Sequence, residues 1–146
     1  MKQEVVLTIA GSRGFTDKQF IYYHANQYIE NVVTYEIAEP RIVIQSGMAA
    51  KSPDEVAVQY ANLNDYELRK FPYIRGIGKR GGPLRNAEMA EKTDYALMFW
   101  DGQSKGTRHF IDCMLYRGKP FQVVIVKLPD PPKQGYFDDH VDLLVS

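Results

Sequence analysis

The sequence has a single cysteine, Cys113, in 146 residues. An intrachain disulfide is thereby excluded, and a reducing compartment is the expected setting. It has no surplus of either charge: 18 Lys+Arg stand against 18 Asp+Glu. A protein that coats nucleic acid or an anionic membrane needs excess cations, so the balance speaks against both as main partners. It has no apolar run near the roughly 20 residues of a membrane-spanning helix. A strand pattern starts within a few residues of Met1, which leaves no space for a signal peptide. A cytoplasmic protein with no membrane partner is the expectation. No internal repeat and no low-complexity stretch is evident.

What is present is ordinary in bulk. Hydrophobic residues are 45% and charged residues 25%, as in a globular domain. A chain of this length buries about two-thirds of its unfolded surface, enough for one core.

Five short apolar or alternating runs read as strands. They are Val5–Ala10, Arg41–Gln45, Tyr66–Phe71, Tyr95–Trp100 and Phe121–Val126. The third is the most polar and is expected nearest an edge. Helices fit between them. Thr16-Asp17-Lys18-Gln19 has capping-box spacing and opens a helix over 17–33, with Phe20, His24, Tyr28 and Val32 as its inward stripe. Ser52-Pro53-Asp54-Glu55 is a second capping box, with proline at the first helical position, opening a helix over 53–62. Further helices are expected over 83–92 and 107–116, with Gly118 as a C-terminal glycine. Strands alternating with helices make right-handed parallel βαβ units. The expected fold is a Rossmann-like three-layer α/β sandwich on a five-stranded, mainly parallel sheet. It fills residues 1–128, and residues 129–146 form a C-terminal arm with an apolar segment over 141–145.

In such a sheet, ligands bind beyond the carboxyl ends of the strands. Four loops leave those ends: 11–16, 46–52, 72–85 and 100–108. They hold Arg13, Lys51, Arg75, Lys79, Arg80, Arg85, Lys105 and Arg108, eight of the 18 cations. They also hold Gly11, Gly14, Gly47, Gly76, Gly78, Gly81, Gly82 and Gly102, eight of the 11 glycines, with Gly106 a ninth at a helix start. Glycine lets backbone amides approach a ligand closely. Helix starts add free N–H donors and partial positive charge. Loops are commonly rich in both residue types without binding anything. Four such loops on one face point to an anion pocket.

Two segments carry most of that reading. Gly78-Lys79-Arg80-Gly81-Gly82-Pro83-Leu84-Arg85-Asn86 is neither a Walker A motif nor a GxGxxG turn. It places Arg85 and Asn86 in the first turn of a helix, where the dipole disfavours a cation. Either an anion lies nearby, or Arg85 pairs with Glu88 or Asp101. Trp100-Asp101-Gly102-Gln103-Ser104-Lys105-Gly106-Thr107 delivers Ser104, Gly106 and Thr107 to a helix N-terminus. There they can grip phosphate oxygens, serve as caps, or do both. Asp138-Asp139-His140 lacks the further ligands a metal needs, so no metal is expected. Cys113 fits a small core residue.

Taken together, these residues resemble a known family. Gly11-Ser12-Arg13 with Asp17, Ser46-Gly47 before Asp54, Gly78…Gly81…Arg85-Asn86…Met89, and Phe99-Trp100-Asp101-Gly102…Ser104…Gly106-Thr107 are similar to the YspA-type branch of the SLOG superfamily (the DUF2493 proteins). The likeness spans residues 5–126. It implies a Rossmannoid domain, kinship with cytokinin-riboside-phosphate phosphoribohydrolases and DprA, and a nucleotide or ADP-ribose-like ligand. Some SLOG domains sense such signals in anti-phage systems. Relatives commonly self-associate, so a homodimer or higher homo-oligomer is implied. No cofactor is implied.

The chain departs from the pattern in two places. Phe110 stands where the phosphoribohydrolases carry the glutamate of their Gly-Thr-x-x-Glu signature. The second loop has Met48 where the branch has a further glycine, and Lys51-Ser52-Pro53 with one extra residue before Asp54. The expected ligand-binding residues are Gly11, Ser12, Arg13, Ser46, Gly47, Arg85, Asn86, Trp100, Asp101, Ser104, Gly106 and Thr107. Capture of a nucleotide-type ligand is the first reading. Hydrolysis of its N-glycosidic bond is the second, with Glu88, Asp101 or His109 as catalytic candidates. Single-stranded nucleic-acid binding is a third, which zero net charge disfavours.

Overall fold

The computed structural model describes residues 2–72 and 76–129. Arg75, Asp138–His140 and the arm from residue 130 lie outside them. In chain order the elements are β1 (Gln3–Gly11), α1 (Lys18–Tyr28), a π-helical turn (Ile29–Val33), α2 (Thr34–Glu36), β2 (Pro40–Ser46) and α3 (Pro53–Leu63). There follow β3 (Glu67–Lys70), a 3-10 turn (Gly78–Arg80), α4 (Gly81–Lys92), β4 (Tyr95–Trp100), α5 (Lys105–Tyr116) and β5 (Phe121–Ile125). All five strands are parallel, in the order β3-β2-β1-β4-β5. This is a Rossmann-like α/β sandwich, and β3 is an edge strand as its polarity predicts. Among the described residues no helix is long and apolar enough to cross a membrane.

Strand alternation sorts the core into two layers. Val5, Leu7, Ile9, Ile42, Ile44, Leu97 and Phe99 face α1 and α3, meeting Ile21, Ala25, Val56 and Tyr60. Ala10, Ala96 and Met98 face α4 and α5, meeting Met89, Ala90, Phe110 and Met114. This second face also buries polar groups. Gln45 Nε2 donates to Thr8 Oγ1 at 3.0 Å, to the Met89 carbonyl at 3.1 Å and to Thr93 Oγ1 at 3.1 Å. These bonds fix the carboxyl half of α4 to the sheet.

The helix starts differ from the expected capping boxes. Asp17, not Thr16, caps α1, its carboxylate accepting from Phe20 N at 3.1 Å. With that later start, Ile21, Ala25 and Tyr28 form the buried stripe. Phe20 and His24 lie beside it, their rings against Phe99. Ser52 caps α3 through Asp54 N at 3.0 Å rather than through Glu55. The fourth helix begins at Gly81, two residues before Pro83, so Arg85 stands in its second turn. Gly118, at φ 63°, closes α5 as expected, its amide donating to the Leu115 carbonyl at 3.0 Å.

Strand order reverses at β1, between β2 and β4. Crossovers leave β1 and β4 on opposite faces there and open a crevice at their carboxyl ends. The crevice depends on a close approach. A Cβ added to Gly11 would lie 2.3 Å from the Phe99 carbonyl oxygen and 2.6 Å from Pro53 Cγ. Backbone cannot yield as a side-chain tip does. Gly11→Ala is therefore expected to destabilise the chain by about 1–3 kcal/mol, read as a lowered urea midpoint at unchanged slope. An unchanged midpoint contradicts the close-approach account.

Candidate functional site

Three loops meet at the crevice, and polar side chains join them. Ser12 N donates to the Phe99 carbonyl at 2.8 Å, holding the end of β1 to β4. Its hydroxyl bridges to the β4–α5 loop, lying 3.1 Å from Asp101 Oδ1 and 2.8 Å from Ser104 Oγ. Asp101 Oδ1 also accepts from Gln103 N at 2.9 Å and Ser104 N at 2.8 Å. This is an Asx-type turn, in which the carboxylate substitutes for a backbone acceptor. Burial would raise the Asp101 carboxyl, but the amides of Ser104 and Gln103 and the Ser12 hydroxyl outweigh it and hold it below the ordinary range.

The β2–α3 loop is held as tightly. Ser46 Oγ donates to the Asp54 carbonyl at 2.7 Å and accepts from Met48 N at 3.0 Å. Ser52 Oγ donates to the Ala49 carbonyl at 2.8 Å. Gly14 N donates to the Lys51 carbonyl at 2.7 Å, tying this loop to the first. Met48 (φ 66°) and Lys51 (φ 52°) both take the left-handed conformation. For side chains other than glycine this costs on the order of 1 kcal/mol each. At Met48 the loop takes a path that favours glycine, without a glycine.

Arg85 reaches across from α4. Its Nη1 donates to the Gly47 carbonyl at 2.7 Å, and Nη2 makes a long 3.4 Å contact with Asn86 Oδ1. Its bonds thus go to backbone and amide rather than to Glu88 or Asp101. Nε is buried and has no hydrogen-bond partner among the described residues. Asn86 is buried and turns the other way. Its Nδ2 donates to the Gly106 carbonyl at 3.1 Å and lies 3.2 Å from His109 Nδ1. The N-cap residues Arg80 of α4 and Ser104 of α5 make no side-chain capping bond among the described residues. The Ser104 hydroxyl, placed to cap α5, is turned to Ser12 instead.

A cleft of about 640 Å³ lies between these parts. Of the expected ligand-binding residues, Gly11, Arg13, Gly47, Arg85, Asn86, Ser104, Gly106 and Thr107 line it. Ser12, Ser46, Trp100 and Asp101 are not among the lining residues, and their hydrogen bonds hold the loops. Trp100 Nε1 donates to the Ser104 carbonyl at 3.1 Å. Of the catalytic candidates, Glu88 is exposed on α4. Asp101 is engaged by the turn. His109 touches Asn86 and lies 3.7 Å, through Nε2, from Cys113 Sγ.

Asp54 is the charged wall residue absent from the expected set. It lines the cleft and is 4% exposed. Burial pushes its carboxyl up to about 6, against the Ala49 amide, the Arg85 charge and the Gly11 amide. Its Oδ2 accepts from Ala49 N at 3.2 Å. A Cβ placed on Gly47 would lie 2.8 Å from Asp54 Oδ2 and 3.0 Å from Arg85 Nη1. The two charged groups therefore converge over Gly47. In sequence, Asp54 looks like an ordinary first-turn acid. Its signals in the sequence are its place in the motif Ser46-Gly47 before Asp54 and the second acid beside it, Glu55, which is exposed. The sequence reading also omitted the apolar wall residues Met48, Ala49, Ala50, Pro72 and Phe110.

No protein-family model matches the chain, and no curated protein matches it significantly.

The Asp54 carboxyl sets a pH dependence. Its folded value, about 6, is above the ordinary aspartate value of about 3.9. The folded protein therefore holds this proton more tightly. The stability it contributes is complete below about pH 4 and is lost as pH rises through 6. The loss is on the order of 3 kcal/mol. Asp54→Asn cannot ionise, so its stability should gain on wild type by that order between pH 4 and pH 7. Urea unfolding of both proteins across this range checks it, and parallel stability curves would contradict it.

Proposed function

We propose that this chain captures a small phosphate-bearing ligand of nucleotide type in the cleft between β1 and β4. One observation carries the reading: Arg85 lines the cleft, and its buried Nε has no hydrogen-bond partner among the described residues. A buried donor left unpaired costs about 1–3 kcal/mol. Nε and Nη2 form one edge of the guanidinium fork, the edge that grips an oxyanion through two parallel bonds. Around it the cleft offers the chemistry of an anion site. Gly11, Gly82 and Gly106 bring backbone close, and α5 starts at Ser104 with no capping bond from that residue's side chain. The likeness of the motifs to SLOG proteins points to the same ligand class.

A second reading is favoured by Asp54. Hydrolysis of an N-glycosidic bond needs a carboxylate at the reacting centre. Phe110 lines the cleft where the resembled hydrolases carry theirs. Among the described residues lining the cleft, Asp54 is the sole carboxylate, and its carboxyl sits near the neutral range suited to proton transfer.

Thermal unfolding with AMP, ADP-ribose, NAD, cyclic nucleotides and cyclic ADP-ribose isomers separates the readings. A bound nucleotide at a hundred times its Kd stabilises by about 2.7 kcal/mol, a rise in Tm of several degrees. Arg85→Ala is expected to abolish the rise. Intact ligand recovered afterwards supports capture; free base with ribose phosphate supports hydrolysis. No rise with any of them rejects the nucleotide site.

A further inference from the structure

Arg85 and Asp54 converge on the same point of one cleft, over the backbone of Gly47. That arrangement constrains what an arriving anion must do. Nη1 of Arg85 is engaged by the Gly47 carbonyl. The edge left for an oxyanion is Nε and Nη2. Asp54 lines the same cleft and is buried, so an oxyanion gripped by Arg85 enters that cleft in the company of a carboxylate. Two anions cannot share a desolvated site without a proton between them, because their repulsion is poorly screened there. Phosphate dianion and ionised Asp54 would set three negative charges around Arg85, the guanidinium that converges with Asp54 over Gly47.

We propose, resting on the capture reading above, that Asp54 is the residue through which this cleft binds an oxyanion together with one proton. The proton lies between an Asp54 oxygen and a ligand oxygen. The ligand accepts from the carboxylic acid, or a monoprotonated phosphate donates to the carboxylate. The proton count is the same in both cases. Asp54 is thereby a specificity residue, requiring a hydrogen-bonded proton where an arginine-only site would accept the bare dianion.

The groups around Asp54 are consistent with one titrating partner. From α4 it faces Arg85. From the end of β1 and from the β2–α3 loop it faces the amides of Gly11 and Ala49. Arg13 lines the same cleft from the β1–α1 loop. No second carboxylate lines it among the described residues. Burial raises the Asp54 carboxyl, so the proton is available near neutral pH. His109 on α5, its Nδ1 3.2 Å from Asn86 Nδ2, is a further titratable group of the region.

Sulfate is the probe of choice, because its charge is fixed across this range and any proton taken up must come to the protein. For wild type, the Kd for sulfate is expected to rise about tenfold between pH 7 and pH 8, the slope of one linked proton. Asp54→Asn has the same shape and donates a hydrogen bond without titrating. Its Kd should be flat over that interval and lower than wild type at pH 8. His109 is unchanged in this variant, so a slope persisting in Asp54→Asn assigns the proton elsewhere and overturns the proposal. A flat wild-type profile overturns it too. Calorimetry of wild type in two buffers of different ionisation enthalpy checks it without any variant: uptake of close to one proton per sulfate at pH 7.5 is expected, and none overturns it. Binding that is tight but independent of pH rejects this inference alone. Failure of sulfate and AMP to bind at any pH rejects the capture reading and this inference with it.

Discussion

The approach of β1 to β4 at their carboxyl ends is the contact on which the site depends. Gly11 packs against the Phe99 carbonyl and Pro53, and Ser12 N bonds that carbonyl at 2.8 Å. From this point three loops are hung. The Ser12 hydroxyl takes hold of Asp101 and Ser104. Gly14 ties the first loop to Lys51. The Gly11 amide bears on the Asp54 carboxyl. A side chain at position 11 would part the strands, and every one of these attachments would shift with them. The constraint explains why loops far apart in sequence arrive at one cleft with fixed geometry. Each is bonded to the junction itself rather than merely emerging near it.

Local cost gathers at the same place. Met48 and Lys51 hold left-handed backbone that glycine would adopt more easily. Asp54 holds a buried carboxyl above its ordinary value. Arg85 keeps a buried donor unpaired. None of these would persist on a loosely held loop, which would relax to satisfy itself. Those of the β2–α3 loop persist because Ser46 and Ser52 over-determine its path. Strain and unsatisfied polarity kept by a rigid frame are the pattern found where a ligand completes the interactions.

The strands were legible because buried parallel strands are written as short runs of Val, Ile, Leu and aromatics. Strand order was less so, since the pairing of β1 with β4 joins segments some 90 residues apart, and local pattern says nothing of it. Glycines, cations and helix starts on the rim were visible as composition. Their division of labour was not. Asp101 read as a ligand group, yet its Oδ1 is engaged by the turn of its own loop and by Ser12. Asp54 read as a helix-start acid, yet it lines the cleft. Each outcome is decided by what packs over the residue. For Asp54 that cover comes from α4 and the end of β1, and no window of sequence around position 54 contains them. The misplaced start of α4 has a related cause. Pro83 is a common first-turn residue, but the glycines before it already follow helical geometry in continuation of the 3-10 turn.

The topology also gives the cleft two unlike sides. Loops after β2 and β3 fall on one side of β1, and the β4–α5 loop falls on the other. Met48, Ala49, Ala50 and Pro72 come from the first side, with Gly47 and Asp54, and Ser104, Gly106 and Thr107 from the second, with Phe110. Arg85 reaches over from α4 to the Gly47 carbonyl between them. A bare inorganic anion has use for the polar side alone. A ligand with a flat apolar part joined to a phosphate would use both, burying the former against methionine, alanine and proline while the latter meets amides and guanidinium. Under the proposed reading, this asymmetry is what separates a nucleotide-type ligand from phosphate itself, and it follows from strand order rather than from any single motif.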